Sequence, residues 1–482
     1  MTDTDGNIGK EISNNTEKIC GLLFDISAQT NFWNGTGDFI DNFYDSAKST
    51  PTVVELNTLA DAVSAGITPR GSEGVILQGI PYYHIKHFFD VAGGSGRLFV
   101  MFADCSNNWD ALITMQKAAH GVINQFGVWT EKYLWTNMSG GTGSYAVAGL
   151  VSELNSVAVN LANDYNAPVS ILVNANSAKV LGPDTTEYSY TEVSNPSGSP
   201  KGQGWYKSDG DGGYVEATET EVANETTYYT RTGTENTTIY DEVVLSRIPT
   251  CITGYRYVSV LLGQAIDNDV HSMQSALGSK TPVGNVGAAL GILSIANVAE
   301  SIGWVQQYDV VGQFPDIEMG FGNVEQGNLT NYDSLNKFQI DELDSKGYIF
   351  LCRYVGYEGH VFFNCDQTCS DEDYRTIARN RVINKSRRGV RLALLKYVNS
   401  PIKVDPATGL LSTTQIAIFR NLVANVLNMM VTANEVSGIG NIVIPADQNI
   451  LQNDRLMISY TLVPVGTAKE IRVTEGLVLK QQ

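Results

Sequence analysis

The chain has 482 residues, 43% hydrophobic and 17% charged, with 51 acids against 32 bases for a formal charge of −19. That length holds two or three domains or one large elaborated one, and the composition is that of a globular protein with a substantial core, not a disordered chain. The charge argues against a general nucleic-acid binder and against docking to an anionic membrane, because most of the surface would repel phosphate.

The first eighteen residues are polar and lack the apolar centre of a signal peptide; residues 1–18 read as a flexible N-terminal arm. No stretch reaches the roughly 18 apolar residues of a membrane helix, so no membrane insertion is expected. The six cysteines (Cys20, Cys105, Cys251, Cys352, Cys365, Cys369) are few and mostly far apart, which suits free thiols in a reducing compartment. A strand is expected over Lys18–Ser27. A helical period runs through Leu56, Leu59, Ala60 and Val63, and Gly96–Asp104 suits a buried strand. "NWDALITMQKAAHGVINQFG" has Leu112, Met115, Ala119, Val122 and Ile123 at helical spacing. A helix over "YAVAGLVSELNSVAVNLANDYN" then leads into a strand over Pro168–Ala175. This alternation predicts an α/β class with α+β elements and a sheet that is at least partly parallel.

The composition changes over Thr186–Tyr240, where 55 residues hold four Ile, Leu or Val, eight Tyr or Trp, and nine acids against three bases. "GWYKSDGDGGYVEA" reads as a hairpin whose strands Trp205–Lys207 and Tyr214–Glu216 flank a turn, and "TTYYTRTG" as another strand. A small surface β insertion over 186–240 is expected between two parts of the α/β core, 19–185 and 241–346. In the second part, "RYVSVLLGQAIDNDVHSMQSAL" and "GNVGAALGILSIANVAESIGW" both read as helices. The last segment, 347–482, reads as two strands, a basic helix, an extended stretch, a second helix behind a Ser412/Gln415 capping pair, and three strands. The last of these is "AKEIRVTEGLVLK". Its alternating Ile471 and Val473, like the apolar Ile19, Leu22 and Phe24 near the other end, need a neighbouring strand. That neighbour is either the chain's own sheet or another copy.

No constellation points to catalysis, a cofactor or a metal. "GNVGAALG" lacks the G-x-G opening of a dinucleotide loop and follows a helical pattern, so it reads as small residues packing two helices closely. "CDQTCSDED" has no second ligand pair for zinc, and "SDGDGG" lacks the distal glutamate of a calcium loop. The five histidines (His84, His87, His120, His271, His360) are scattered, and no serine sits in a nucleophile elbow.

The basic helix raises the sharper question. Eight bases and no acid lie between Arg375 and Lys396. At 100° per residue Arg381, Lys385, Arg388 and Arg391 share one face, and Val382, Val390 and Leu394 lie on the other. Like charges so spaced repel by roughly a few tenths of a kcal/mol per neighbouring pair. The face is therefore neutralised by acids of its own chain, presented to an acidic partner or another copy, or used for phosphate.

Several elements of this region, in order, resemble the C-terminal part of contractile tail sheath proteins of bacteriophages and phage-like contractile injection systems. These are the Arg-Val-Ile-Asn-Lys helix (Arg381–Lys385), the Leu394–Pro401 junction, the Asp-Pro-Ala-Thr-Gly turn (Asp405–Gly409), the Gln-Asn-Ile-Leu loop (Gln448–Leu451) and the Val-Pro-Val-Gly-x-Ala-Lys-Glu-Ile hairpin (Val463–Ile471). The resemblance covers about the last 110 residues and implies a multi-domain sheath architecture with a C-terminal α/β domain and extended terminal arms. It also implies a non-enzymatic role: a homo-oligomeric helical sheath around an inner tail tube, meeting baseplate and tail terminator proteins, in the tail of a particle assembled in the host cytoplasm. On that implication Arg381, Lys385, Arg388 and Arg391 are candidate contacts to the tube or a neighbouring subunit. Ile19, Leu22, Phe24, Ile471 and Val473 are candidates for strand exchange. An alternative is a different tail or capsid protein that binds a polyanion through the basic helix.

Overall fold

The structure is a computed structural model that describes residues 17–27, 32–33, 38–69, 79–135, 146–177, 186–194, 205–208, 214–218, 220–221, 227–237, 249–262, 284–310, 320–321, 330–331, 335–357 and 359–475. The principal strands in chain order are β1 (Cys20–Asp25), β2 (Val54–Leu56), β3 (Leu98–Ala103), β4 (Gln125–Trp135), β5 (Ser170–Ser177), β6 (Thr186–Ser194), β7 (Trp205–Ser208), β8 (Tyr214–Ala217), β9 (Thr227–Thr237), β10 (Val258–Leu261), β11 (Leu351–Cys352), β12 (Phe362–Phe363), β13 (Val436–Val443) and β14 (Ser459–Pro464). The principal helices are α1 (Leu59–Ser64), α2 (Gly79–Val91), α3 (Ala111–Ala118), α4 (Ala146–Asn163), α5 (Val286–Ile295), α6 (Ile377–Leu395) and α7 (Thr413–Thr432). The class is mixed α/β with several separate sheets.

The main sheet has the order β10-β5-β4-β1-β3-β2. Its first five strands are parallel, and β2 closes the edge antiparallel to β3. β1 and β3 are buried at every position, as strands must be when helices cover both faces of a parallel sheet. α5 lies over β4, where a Cβ on Gly127 would come within 2.5 Å of Leu290. The "GNVGAALG" reading holds: a Cβ on Gly287 would sit 2.0 Å from the His84 carbonyl oxygen of α2. Only glycine there lets the two helices approach this closely.

Three expectations fail for identifiable reasons. Val258–Leu261, expected within a helix, is strand β10, buried throughout and in register with Ile171–Asn174; a four-residue run is too short to carry a period that separates strand from helix. Residues 263–277 of that expected helix lie outside the described residues. The run Leu56–Val63 breaks into β2 and α1 because Thr58 caps the helix. Its Oγ1 accepts the Asp61 N–H while the Asp61 carboxylate accepts the Thr58 N–H, and Val63 faces solvent. The helix expected to run on past Ile123 stops at Ala118, where His120 and Gly121 both turn at positive φ (54° and 78°) so that the chain can enter β4.

Beyond β12 a second core forms among α6, α7, β13 and β14, with Val382, Val390, Val423, Leu427, Met430 and Val436 at its centre. Asp405 Oδ1 accepts the Ala407 and Thr408 N–H groups, and Gly409 completes that turn at φ 71°. Ser412 caps α7 by accepting the Gln415 N–H. The segment 186–240 contributes a four-stranded antiparallel sheet, β8-β7-β9-β6, including the expected pairing of Trp205–Ser208 with Tyr214–Ala217. The turn joining those two strands lies outside the described residues.

Candidate assembly surfaces

α6 starts at Thr376, whose side chain accepts the Arg379 N–H, and its first half is buried on nearly every side. Four cations project from it into the chain itself. Arg381 is 1% exposed and donates to the carbonyls of Leu293 (3.0 Å), Ala296 (3.1 Å) and Asn297 (3.1 Å). These lie at the C-terminus of α5, which has no basic residue in its own last turn. Arg387 does the same for α4, donating to Ala162 O (2.6 Å) and Asn163 Oδ1 (3.1 Å), and α4 too ends without a base. A helix C-terminus carries unpaired carbonyls and partial negative charge, so each guanidinium meets both needs.

Arg388 donates to Pro168 O (2.6 Å), just before β5, and pairs with the buried Glu17 carboxylate. Lys385 pairs with Glu435, the residue ahead of β13. That pair is almost fully enclosed; burial pushes the Glu435 carboxyl above its ordinary range, against the opposing pull of Lys385. α6 therefore joins the second core to the main sheet.

The resemblance makes Arg381, Lys385 and Arg388 candidate contacts to the tube or a neighbour, and within the chain each is engaged by groups of the same chain. Desolvating such cations is costly unless each is paired, and here carbonyls and carboxylates of the same chain do the pairing. Arg391 is exposed and is the member of the four that remains at the surface. Arg387 escapes a sequence reading because it falls off the plotted face. The signal is indirect: two helices without a terminal base and a third with a surplus. Ile19, Leu22 and Phe24, the exchange candidates near the other end of the chain, lie inside the fold. They are buried, and β1, which carries Leu22 and Phe24, is paired on one side by β3 and on the other by β4, so it has no free edge. The expected N-terminal arm falls almost entirely on residues 1–16, outside the described residues.

The opposite end of the chain differs. β13 and β14 form a two-stranded antiparallel sheet, one face of which packs on α7, so an outer edge of each strand carries no third strand among the described residues. Of the segment expected as the next strand, Ala468–Lys480, residues 468–475 are described and carry no strand pairing. Lys469 reaches Asp344 (2.6 Å) and Glu470 pairs with Arg472 (2.7 Å), while Ile471 and Val473 are 82% and 83% exposed. Leu392, Leu395 and Val398 are also exposed at the end of α6.

Among the described residues no cluster of metal-binding side chains occurs, and no helix is long and apolar enough to cross a membrane. Asp25 lies at the carboxyl end of β1, where ligands of open α/β sheets bind. Its carboxylate accepts from Thr130 Oγ1 (2.7 Å), Ser27 N (2.9 Å) and Cys105 N (3.1 Å); these bonds tie the strand ends together.

Two family matches cover parts of the chain: DUF2586, N-terminal domain, over residues 253–366, and DUF2586, C-terminal domain, over residues 373–482. No curated protein matches the sequence. Among solved structures, a chain of the anti-feeding prophage baseplate shares the fold at 10% identity, with a TM-score of 0.52 over 96% of this chain and 94% of that one. A chain of the anti-feeding prophage helical sheath in its contracted state aligns at 10% identity and TM-score 0.49 over 99% of both chains. A chain of the contracted sheath complex of the extracellular contractile injection system PVC aligns at 10% identity and TM-score 0.48, again over 99% of both. The structural neighbours are thus chains of contractile sheath and baseplate assemblies.

Proposed function

We propose that the chain is a structural, non-catalytic subunit of a contractile tail sheath. Copies polymerise around an inner tube and repack on contraction to drive that tube through a cell envelope. The observation that carries the reading is the pairing of opposites within one region. An alternating apolar segment around Ile471 and Val473 stands exposed and unpaired, and a two-stranded sheet, β13-β14, has edges with no third strand among the described residues. A strand donated from one copy to the β13-β14 sheet of the next satisfies both. The sheath-like motifs of residues 381–471 and the fold likeness to a baseplate chain support the same reading.

On this reading residues 1–18 are an arm, 19–185 and 241–346 the two parts of the sheath core, 186–240 a surface decoration, and 347–482 the C-terminal domain with its exchanged terminal strand. The partners are further copies, the tube protein, and baseplate and terminator proteins, in a phage tail or phage-like particle assembled in the host cytoplasm. Of the four candidate bases, Arg391 is the one left exposed for a tube or neighbour contact. The polyanion alternative loses ground because Arg381, Lys385 and Arg388 are engaged within the chain.

Negative-stain electron microscopy of the purified protein tests the proposal: striated hollow tubes are expected. Deleting Lys469–Gln482 should leave a folded subunit, with unchanged circular dichroism, that forms no tubes. Tubes of normal length from the truncated chain would sink strand donation.

A further inference from the structure

The four-stranded sheet β8-β7-β9-β6 has two chemically different faces. Residues directly opposite one another in antiparallel strands share a face. Trp205 opposes Ala217, and Tyr228 opposes Val193. These four form the small core of the sheet, so that face holds the strands together. On the other face Glu192 opposes Tyr229, Tyr229 opposes Tyr206, and Tyr206 opposes Glu216. A single row, carboxylate–phenol–phenol–carboxylate, thus crosses all four strands and spans about 14 Å at the ordinary strand spacing. Tyr214 extends it, its ring 4.6 Å from that of Tyr229. Tyr214, Glu192 and Glu216 are exposed, and Tyr206 and Tyr229 half-buried. The proximity of Glu192 and, less, of Tyr214 raises the Tyr229 phenol above its ordinary range. Neither family match, 253–366 or 373–482, reaches this sheet.

We propose that this face is a binding platform for a neutral polysaccharide, whose sugar rings stack on Tyr206, Tyr214 and Tyr229 while its hydroxyls donate hydrogen bonds to Glu192 and Glu216. The inference is independent of the sheath reading. The rings are not needed to hold the sheet, because the core lies on the opposite face. Nine acids against three bases over the segment turn away anionic glycans and nucleic acid. An apolar protein surface would strip water from Glu192 and Glu216 without replacing its hydrogen bonds, which is costly. A hydroxyl-rich chain supplies donors to acceptor-only carboxylates and presents C–H faces to the electron-rich ring faces. A lone cation is held best where aromatic rings enclose it; an open row across a sheet suits an extended chain.

Affinity electrophoresis of the full chain tests this, in native gels cast with a soluble β-glucan, a galactomannan or an α-glucan, and in a blank gel. Relative mobility should fall at least threefold in one or more polysaccharide gels. Tyr206→Ala and Tyr229→Ala should abolish the retardation, and Tyr229→Phe should keep most of it. The pair Glu192→Gln with Glu216→Gln leaves the rings in place and should weaken retardation at least twofold, which guards against the alanine variants simply unfolding the sheet. Mobility unchanged in all three polysaccharides overturns the proposal, as does retardation that the glutamine pair and the alanine variants all leave intact. Retention only in a gel cast with polylysine, lost in the glutamine pair, overturns it in favour of a cationic partner.

Discussion

Two apolar segments near the ends of the chain both read as strands, and the structure treats them in opposite ways. "CGLLFD" (β1) is the fourth of six strands counted from β10, buried at every position and hydrogen-bonded on both sides. "KEIRVTE" is exposed and without strand pairing. The contrast lies in their periods. A continuous apolar run is built to be covered on two faces, whereas an alternating one is built to be covered on one. The first is consumed by the fold of its own chain. The second leaves its apolar residues in water until another strand and surface meet them, which suits a segment that is donated.

The largest effect expected from this comparison comes from placing a charge in the consumed strand. Leu22 is fully buried and faces α5 across Gly127, so Leu22→Asp should cost more than about 4 kcal/mol, the range reached when an unpaired charge is buried in a core. Chemical denaturation of the variant, or its failure to accumulate in soluble form, checks this. A variant as stable as the parent would mean that β1 is not the centre of the sheet.

The next effect belongs to the junction between the two regions. Arg381→Met would leave the Leu293, Ala296 and Asn297 carbonyls without their buried donor. By the cost of unpaired buried groups, this should destabilise the chain by roughly 3 kcal/mol. Arg391→Met, at the exposed end of the same helix, should change stability by no more than about 0.5 kcal/mol. Equal losses in the two variants, measured by urea unfolding, would place the work of α6 on its surface face after all.

This junction also marks what the sequence could and could not disclose. The apolar runs of β1 and β3, the close glycine packing of α5 and the cap at Ser412 were legible or partly so, because each is a local pattern with a local cause. The destination of the basic charge was not. A helical projection shows which side chains share a face, but whether that face meets water or another element is decided by the chain's own topology. Arg387 and Arg388 bond to residues more than 200 positions away, and Glu17 more than 370 away. β10 escapes the sequence for a related reason: four buried residues take their state from the edge of β5 that receives them, not from their own period.

Acid provides the finest probe of the comparison, because buried imidazoles lie only on one side of it. His84 of α2 is enclosed against the Phe24 ring of β1, and no histidine follows His360 in the sequence. Burial lowers the His84 imidazole from its ordinary 6.5 to about 3, and His87 is also lowered, mainly by burial. Between those two values the unfolded chain binds a proton at His84 that the folded chain refuses. The stability contributed by the neutral ring is therefore complete above pH 6.5 and drains away as the pH falls toward 3, at about 1.4 kcal/mol per unit. By pH 5 the loss from His84 alone should be about 2 kcal/mol. Urea unfolding at pH 7 and pH 5, followed by hydrogen exchange resolved to peptides, should show the main-sheet half weakening while the α7–β13–β14 core holds. His84→Leu should remove about that much of the pH dependence, because carboxylates that titrate elsewhere are common to both chains. If the C-terminal core opened first, or if His84→Leu left the slope unchanged, the strand that the fold consumes would not be the one that acid reaches through α2.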